Sequence, residues 1–300
     1  MKLTANSKHT FSIYILAIMA SLMVSGCATL IPTNTPSIDI KSFDPSKKFA
    51  VVSIASLKSF EVEKGMSQMF KSPDAIPGAN TQPLINNLAP YIIHVLGSSK
   101  HYTLLPEDIV LKGKAYRYLA EDEKTMRVLL GHKTMNVANG YKYISDEEKY
   151  SVLAPYLGVD GVIGITMQFA IFPSKSYFAT AGSTLARSSY REMQYDSVQK
   201  MNELSESNLG KWSYSAVASI SVIAYNNHGE LIWKDSFLQE ADPNDVDAII
   251  ELNTSGITNA DFEKFQPSAL KIGEQCVDAL LARFDNMMAG NEISRMRSIK

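Results

Sequence analysis

The polar and apolar positions of this chain divide it into segments of different period. A basic head with Lys2 and Lys8 is followed by an apolar run over 11–24. A bilayer-spanning helix needs about 20 such residues, so this run predicts an export signal and not a retained span. Over 28–48 the pattern breaks into Pro32, Pro36 and Pro45 among Thr, Ser and Asn, which predicts a tether. Residues 49–54 are almost continuously apolar and β-branched, as in a strand covered on both faces. Residues 59–82 mix charge, Met and a Pro-Asp/Pro-Gly loop. Over 83–97, Leu84, Leu88, Tyr91, Ile92 and Val95 recur at helical spacing, with Pro90 as a kink and Gly97 as a stop. A short strand over 102–105 ends at Pro106.

The pattern is less regular over 107–130. Its composition predicts helix broken by Gly113 and Gly131, with Met126, Leu129 and Leu130 on one side of the second half. Ser145 and Glu148 match a capping box opening a helix whose buried face is Tyr150, Leu153, Tyr156 and Leu157, closed by Gly158. The string Leu-Ala-Pro-Tyr occurs here and at 88–91, too short to mark a repeat. After a Val159-Asp160-Gly161 turn, 161–172 reads as a long strand with one core face and one mixed face. Ile163, Ile165, Met167, Phe169 and Ile171 share one face, and Val162, Gly164, Thr166, Gln168 and Ala170 the other, as in a half-covered sheet. Residues 173–209 are Ser/Tyr-rich and weakly periodic, an insertion or mobile loop with room for a helix over 192–204. A strand over 212–225 turns Ala216, Ala218, Ile220, Val222 and Ala224 inward. Asn226-Asn-His-Gly229 is a hairpin loop, and 231–237 is the return strand with Trp233 and Phe237. After an acidic stretch over 240–265, Pro267 opens a last helix striped by Ile272, Cys276, Leu280 and Phe284 and ended by Gly290. The expected fold is therefore α/β (α+β). It has a mixed, largely antiparallel sheet packed by helices in a single domain over 49–290, a long insertion at about 173–210, and a basic tail over 291–300.

Composition narrows the function. The chain is 45% hydrophobic and 20% charged. Without residues 1–26 it loses Lys2 and Lys8, leaving 27 basic against 31 acidic residues of the 29 and 31 in the whole chain. A nucleic-acid surface needs a clustered basic excess, so no nucleic-acid partner is expected. The chain lacks His-Glu-x-x-His, Gly-x-Ser-x-Gly, a phosphate loop and Gly-x-Gly-x-x-Gly. His94, His101, His132 and His228 are dispersed, so no metal, cofactor or catalytic set is expected. His94 fits the favoured cation position near a helix end, and His228 a solvated turn. Cys276 on an apolar helix stripe reads as buried and inert. Asp160 suits either a turn or a functional carboxylate, the turn being favoured, and Trp233 beside Lys234 suits sheet packing. Tyr177, Tyr190, Tyr195 and Tyr214 form either a partner-binding face or part of a loosely ordered loop.

Two resemblances add to this. Val24-Ser25-Gly26-Cys27 resembles the lipobox of bacterial lipoproteins. That implies cleavage between Gly26 and Cys27, acylation of Cys27, and stable anchoring by several acyl chains. An Asp after the lipidated Cys favours the inner membrane in that class. Ala28 stands there, which implies the periplasmic face of the outer membrane. With Cys27 acylated, Cys276 has no disulfide partner. Further on, Leu-Gly-Val-Asp-Gly-Val-Ile-Gly (157–164) enters a long strand, and Ile-Ala-Tyr-Asn-Asn-His-Gly-Glu-Leu-Ile-Trp (223–233) precedes the last helix. In that order these elements resemble the periplasmic α/β domain shared by CsgG-type secretion lipoproteins, LpoB-type activators of penicillin-binding proteins and the TolB N-terminal domain. The resemblance implies a non-catalytic envelope lipoprotein that binds another envelope protein and supports assembly or regulation of a complex. A self-oligomeric CsgG-like channel subunit is the alternative, and an envelope hydrolase the third reading.

Overall fold

The computed structural model of the chain describes residues 36–62, 73–119, 125–128, 131–144, 147–173, 211–242, 249–253 and 257–291. Its strands are β1 (Ser37–Ile38), β2 (Lys48–Leu57), β3 (Glu61–Val62), β4 (Thr103–Leu104), β5 (Thr125–Val128), β6 (Gly131–Val137), β7 (Gly161–Pro173), β8 (Lys211–Asn226), β9 (Leu231–Glu240) and β10 (Ile249–Asn253). Its helices are α1 (Gln82–Gly97), α2 (Glu107–Lys112), α3 (Lys114–Leu119), α4 (Glu147–Leu157) and α5 (Asn259–Met288). The strands form one mixed sheet in the order β1-β9-β8-β7-β2-β6-β5, with β10 also on β8, β3 on β7 and β4 on β2. β2 is parallel to β7 and β4, and β3 is parallel to β7; the remaining pairs are antiparallel. The α/β class, with a mostly antiparallel sheet packed by helices, follows directly.

The sheet is built on its apolar strands. Nine of the ten residues of β2 are buried, as expected of a strand with neighbours on both edges and both faces. β7 and β8 pair without a break from Gly161↔Asn226 to Pro173↔Tyr214. The β8–β9 turn is closed by Asn226, whose Oδ1 accepts the N–H of His228 and of Glu230, both at 2.9 Å. Gly229 takes φ +80°, which side chains disfavour.

One face carries the main core. Ile163, Ile165, Met167, Phe169 and Ile171 of β7, with Ala216, Ala218, Ile220, Val222 and Ala224 of β8, are all buried there against α1 and α5. The alanines let α5 come close, so that Cys276 Sγ lies 3.3 Å from Ala218 O and donates to it. A Cβ on Gly273 would stand 2.8 Å from Leu88 of α1. α5 starts at a capping box. Thr258 accepts from Asp261 N–H, and the Asp261 carboxylate accepts from Thr258 N–H. The expected start at Pro267 is therefore wrong. Pro267 sits inside the helix on its exposed side, where the carbonyl its missing N–H leaves unbonded meets water. Inside this core, Asp235 of β9 is fully buried and held by Arg283 of α5, whose Nε and Nη2 donate to its two oxygens at 2.9 Å each. Ser236 N–H adds a third bond at 2.7 Å, so the charge is paired and well hydrogen-bonded.

The other face is covered as well, against the expectation of a half-covered sheet. α2, α3 and α4 form a layer over Ala50, Val52, Val162 and Tyr225. Gly164 makes room for the Tyr150 ring, which stacks on Tyr225 with centroids 5.4 Å apart. Tyr150 Oη donates to Ile144 O at 3.1 Å. The β2–β7 register slips between Val51 and Ser53, and Tyr116 Oη donates to the Val52 carbonyl at that irregularity, at 2.8 Å.

Four further expectations are corrected. Residues 125–128 are strand and not helix: β5 pairs antiparallel with β6, and β6 pairs with β2 from Ala55↔Val137 to Leu57↔Met135. The ladder of β2 supplies what the charged composition hid. Tyr156 is 70% exposed. It lies about 100° around α4 from the stripe of Tyr150, Leu153 and Ala154. The chain also joins the fold earlier than position 49. Ser37 and Ile38 pair with Lys234 and Trp233, and Phe43 is buried between Phe49 and Phe284, 5.1 Å from each. The tether expected over 28–48 thus gives up its second half to the domain. Residues 240–265, expected only as acidic and polar, include β10. Ser145, and with it the expected capping box of α4, lies outside the described residues, as do Leu129, Leu130, the insertion over 174–210 and the tail beyond 291.

Gly164→Ala should lower the unfolding free energy by ~1–3 kcal/mol in urea, because its Cβ would meet Tyr150 Cζ at 2.8 Å. An unchanged midpoint would mean that the ring is not seated there. Arg283→Met should cost ~3–5 kcal/mol by leaving the Asp235 carboxylate buried and unpaired. Adding Asp235→Asn should restore part of that loss, and a double variant no better than the single would reject the pairing as the cause.

Candidate functional site

The structure gives most of the chemistry-bearing residues packing roles. Asp160 locks two strand ends together. Its Oδ2 accepts Lys48 N–H at 2.8 Å, its own N–H donates to Lys48 O at 2.7 Å, and its carbonyl accepts Asn227 N–H at 2.9 Å. Cys276 is fully buried, and burial pushes its thiol well above the ordinary cysteine value, away from nucleophilic use. Trp233 is fully buried against Phe284, with ring centroids 4.5 Å apart. His228 is exposed in the β8–β9 turn, and His132 falls on β6. Tyr214 is only 2% exposed, inside the main core, so it offers no surface to a partner and leaves the predicted tyrosine face. Tyr177, Tyr190 and Tyr195 lie outside the described residues, as do Gly26 and Cys27.

Among the described residues, two surfaces remain. The first is an open cleft of about 400 Å3 between the C-terminal turns of α1 and the second half of α5, lined in part by Tyr91, His94, Ser98, Asp278 and Asp285. Tyr91 Oη donates to Asp278 Oδ1 at 2.7 Å. That bond is the main reason why the phenol is pushed up to about 12, desolvation coming second. Behind the cleft, His101 Nε2 stands 3.3 Å from Asp285 Oδ1. Ser98 Oγ donates to Val95 O at 2.7 Å, so its proton serves the helix end. Two carboxylates beside the negative end of a helix dipole make this cleft attractive to cations. No group of three or more metal-ligating side chains occurs among the described residues.

The second surface is the outer side of the α2–α4 layer. Six large apolar side chains are exposed among the described residues, and four belong to this layer: Ile109 at 52%, Tyr118 at 80%, Val152 at 40% and Tyr156 at 70%. Val152 and Tyr156 are four residues apart on α4 and so share a face. Exposed tyrosine with aliphatic neighbours is the composition of a contact surface. Sequence reasoning missed this face. It placed Tyr156 in the core and looked for surface tyrosines in the insertion. A strict count of the α4 stripe from Leu153 and Ala154 would have turned Tyr156 outward.

No protein-family model matches the chain, and no curated protein does. Among solved structures, the chain compares with a crystal structure from Helicobacter pylori described as a neuraminyllactose-binding hemagglutinin homolog. The identity is 10% and the TM-score 0.29, over 80% of this chain and 83% of that one. A likeness at that level carries no argument about either fold or function.

The cleft yields a pH prediction. The folded state holds the Tyr91 proton more tightly than the ordinary 10.0 of a free phenol. The associated stability is therefore complete below about pH 10 and is lost as pH rises toward 12. Asp278→Asn should move the Tyr91 midpoint down toward 10, read from tyrosinate absorbance against Tyr91→Phe. A midpoint that stays near 12 would exclude the hydrogen bond as the cause.

Proposed function

We infer that this chain is a lipid-anchored envelope protein that acts by binding another envelope protein, and not by catalysis. The observation that carries the reading is Val24-Ser25-Gly26-Cys27 standing a short way ahead of Ser37, where the chain enters the sheet. Acylation of Cys27 places the body at a membrane, and Ala28 favours the outer membrane, periplasmic face. Residues 28–36 then span about 30 Å at full extension. The exposed Tyr118 and Tyr156 on the α2–α4 layer support the binding role. The engagement of Asp160 with Lys48 and the burial of Cys276 weigh against those two residues as reactive groups. The order of strands and helices supports the resemblance to the CsgG, LpoB and TolB N-terminal domains.

A second reading, the CsgG-like channel subunit, has one observation in its favour. β7 and β8 are long antiparallel neighbours that stay in register to their last pair, Pro173↔Tyr214. Detergent-extracted protein running as a large ring would favour that reading.

Cys27→Ser should abolish acyl labelling and release the body from the membrane fraction. Retention in the membrane without acylation would remove the anchor from the proposal. A photo-cross-linking side chain at position 118 or 156 should capture the same envelope protein in cells, with none captured from exposed position 228. Equal capture from 228, or no discrete adduct from 118 and 156, would reject the α2–α4 face as the contact.

A further inference from the structure

The cleft between α1 and α5 carries acid without a matching base. Asp278 and Asp285 stand on its α5 wall. They are seven residues apart, about 10 Å along the helix axis. Glu274, one turn before Asp278, adds its field at Tyr91. From Glu274 to Met288 the only lysine or arginine is Arg283, and it is committed to Asp235. No lysine or arginine lines the cleft, and the carbonyl end of α1 closes it from the other side.

The two carboxylates are held differently. Asp278 Oδ1 accepts the Tyr91 hydroxyl at 2.7 Å, which fixes that carboxylate beside the Tyr91 ring. Asp285 Oδ1 faces His101 Nε2 at 3.3 Å, yet neither atom makes a hydrogen bond among the described residues. Asp285 therefore keeps a buried acceptor that wants a donor. Between the carboxylates the wall is apolar, formed by Leu281 and Ala282.

Carboxylates two turns apart cannot share one metal ion, whose oxygen ligands sit within about 2.6 Å of it. A long cationic side chain fits better. Its methylene stem lies over Leu281 and Ala282, and its charged head meets a carboxylate. A guanidinium suits the place more than an ammonium, because it is planar against the Tyr91 ring and offers several N–H donors at once. We propose that the α1–α5 cleft is a docking site for an arginine side chain presented by a partner protein, with Asp278 and Asp285 as its counter-charges. This docking rests on neither the acylation of Cys27 nor the α2–α4 face.

The probe is the peptide acetyl-Gly-Arg-Gly-amide, titrated into the full chain in detergent and read from the Leu281 and Ala282 methyl resonances. The arginine peptide should shift both saturably, and the neutral citrulline peptide should not. Asp278→Asn and Asp285→Asn should each weaken binding about tenfold, with the Ile165 methyl unchanged as the control for folding. In cells, a photo-cross-linking side chain at exposed position 282 should capture one envelope protein, and adding Asp278→Asn should remove the adduct. Equal shifts from citrulline, binding indifferent to both substitutions, or no Asp278-dependent adduct would overturn the proposal. So would tighter peptide binding after deletion of 292–300, which would assign the cleft to the chain's own Arg295, Arg297 and Lys300.

Discussion

The seating of α5 on the small side chains of β8 is the constraint that the remaining elements follow. Alanine at 216, 218 and 224 brings the helix close enough for Cys276 Sγ to reach a strand carbonyl. The same closeness recurs one layer out, where Gly273 admits Leu88 of α1. Further along α5, Arg283 reaches the buried Asp235 and lies 5.6 Å over the Phe237 ring. One long helix thereby fixes α1, β8 and β9 in relation to each other. Phe284 completes the arrangement as the hub on which Trp233, Phe43 and Tyr102 converge.

How much of this could be read in the sequence depended on the range of the interaction. β7 and β8 were legible as extended strands of ten or more residues with one consistently apolar face, and β9 as the return from the Asn226–Gly229 turn. The Asn226–Gly229 turn was legible because its chemistry is local. The start of α5 was missed because its capping box uses Asp261, whereas the common pattern has Glu or Gln at that position. β5 and β6 were missed because a charged, Met-containing stretch reads as helix until β2 requires a partner there. The folding of Ser37 to Lys48 onto the domain depends on Phe43 finding Phe49 and Phe284, the second more than two hundred positions away. The Asp235–Arg283 pair is likewise a product of topology, and neither residue stands out in its own segment.

The candidate surfaces follow the same division. Cys27, a matter of local pattern, was visible at once. The α2–α4 face was not, because exposure is decided by which side of a helix the sheet claims. Tyr150 and Tyr156 lie six residues apart on one helix. One is stacked on Tyr225, and the other is open to solvent. Tyrosine content alone could not separate them, nor could it show that Tyr214 is buried in the core.

Strand direction gives the molecule a polarity. β1 runs alongside β9 from Lys234 toward Trp233, so its first residue, Ser37, is the one nearer the Glu240 end of the sheet. β7 leaves, and β8 returns, at that same end, through Pro173 and Lys211. An acyl group at Cys27, as proposed, would act on the body as a mooring line acts on a hull, through the end at which Ser37 enters the sheet. The sheet end at Pro173 and Lys211 would then be the one nearer such an anchor, and the turn at His228 the one farther from it.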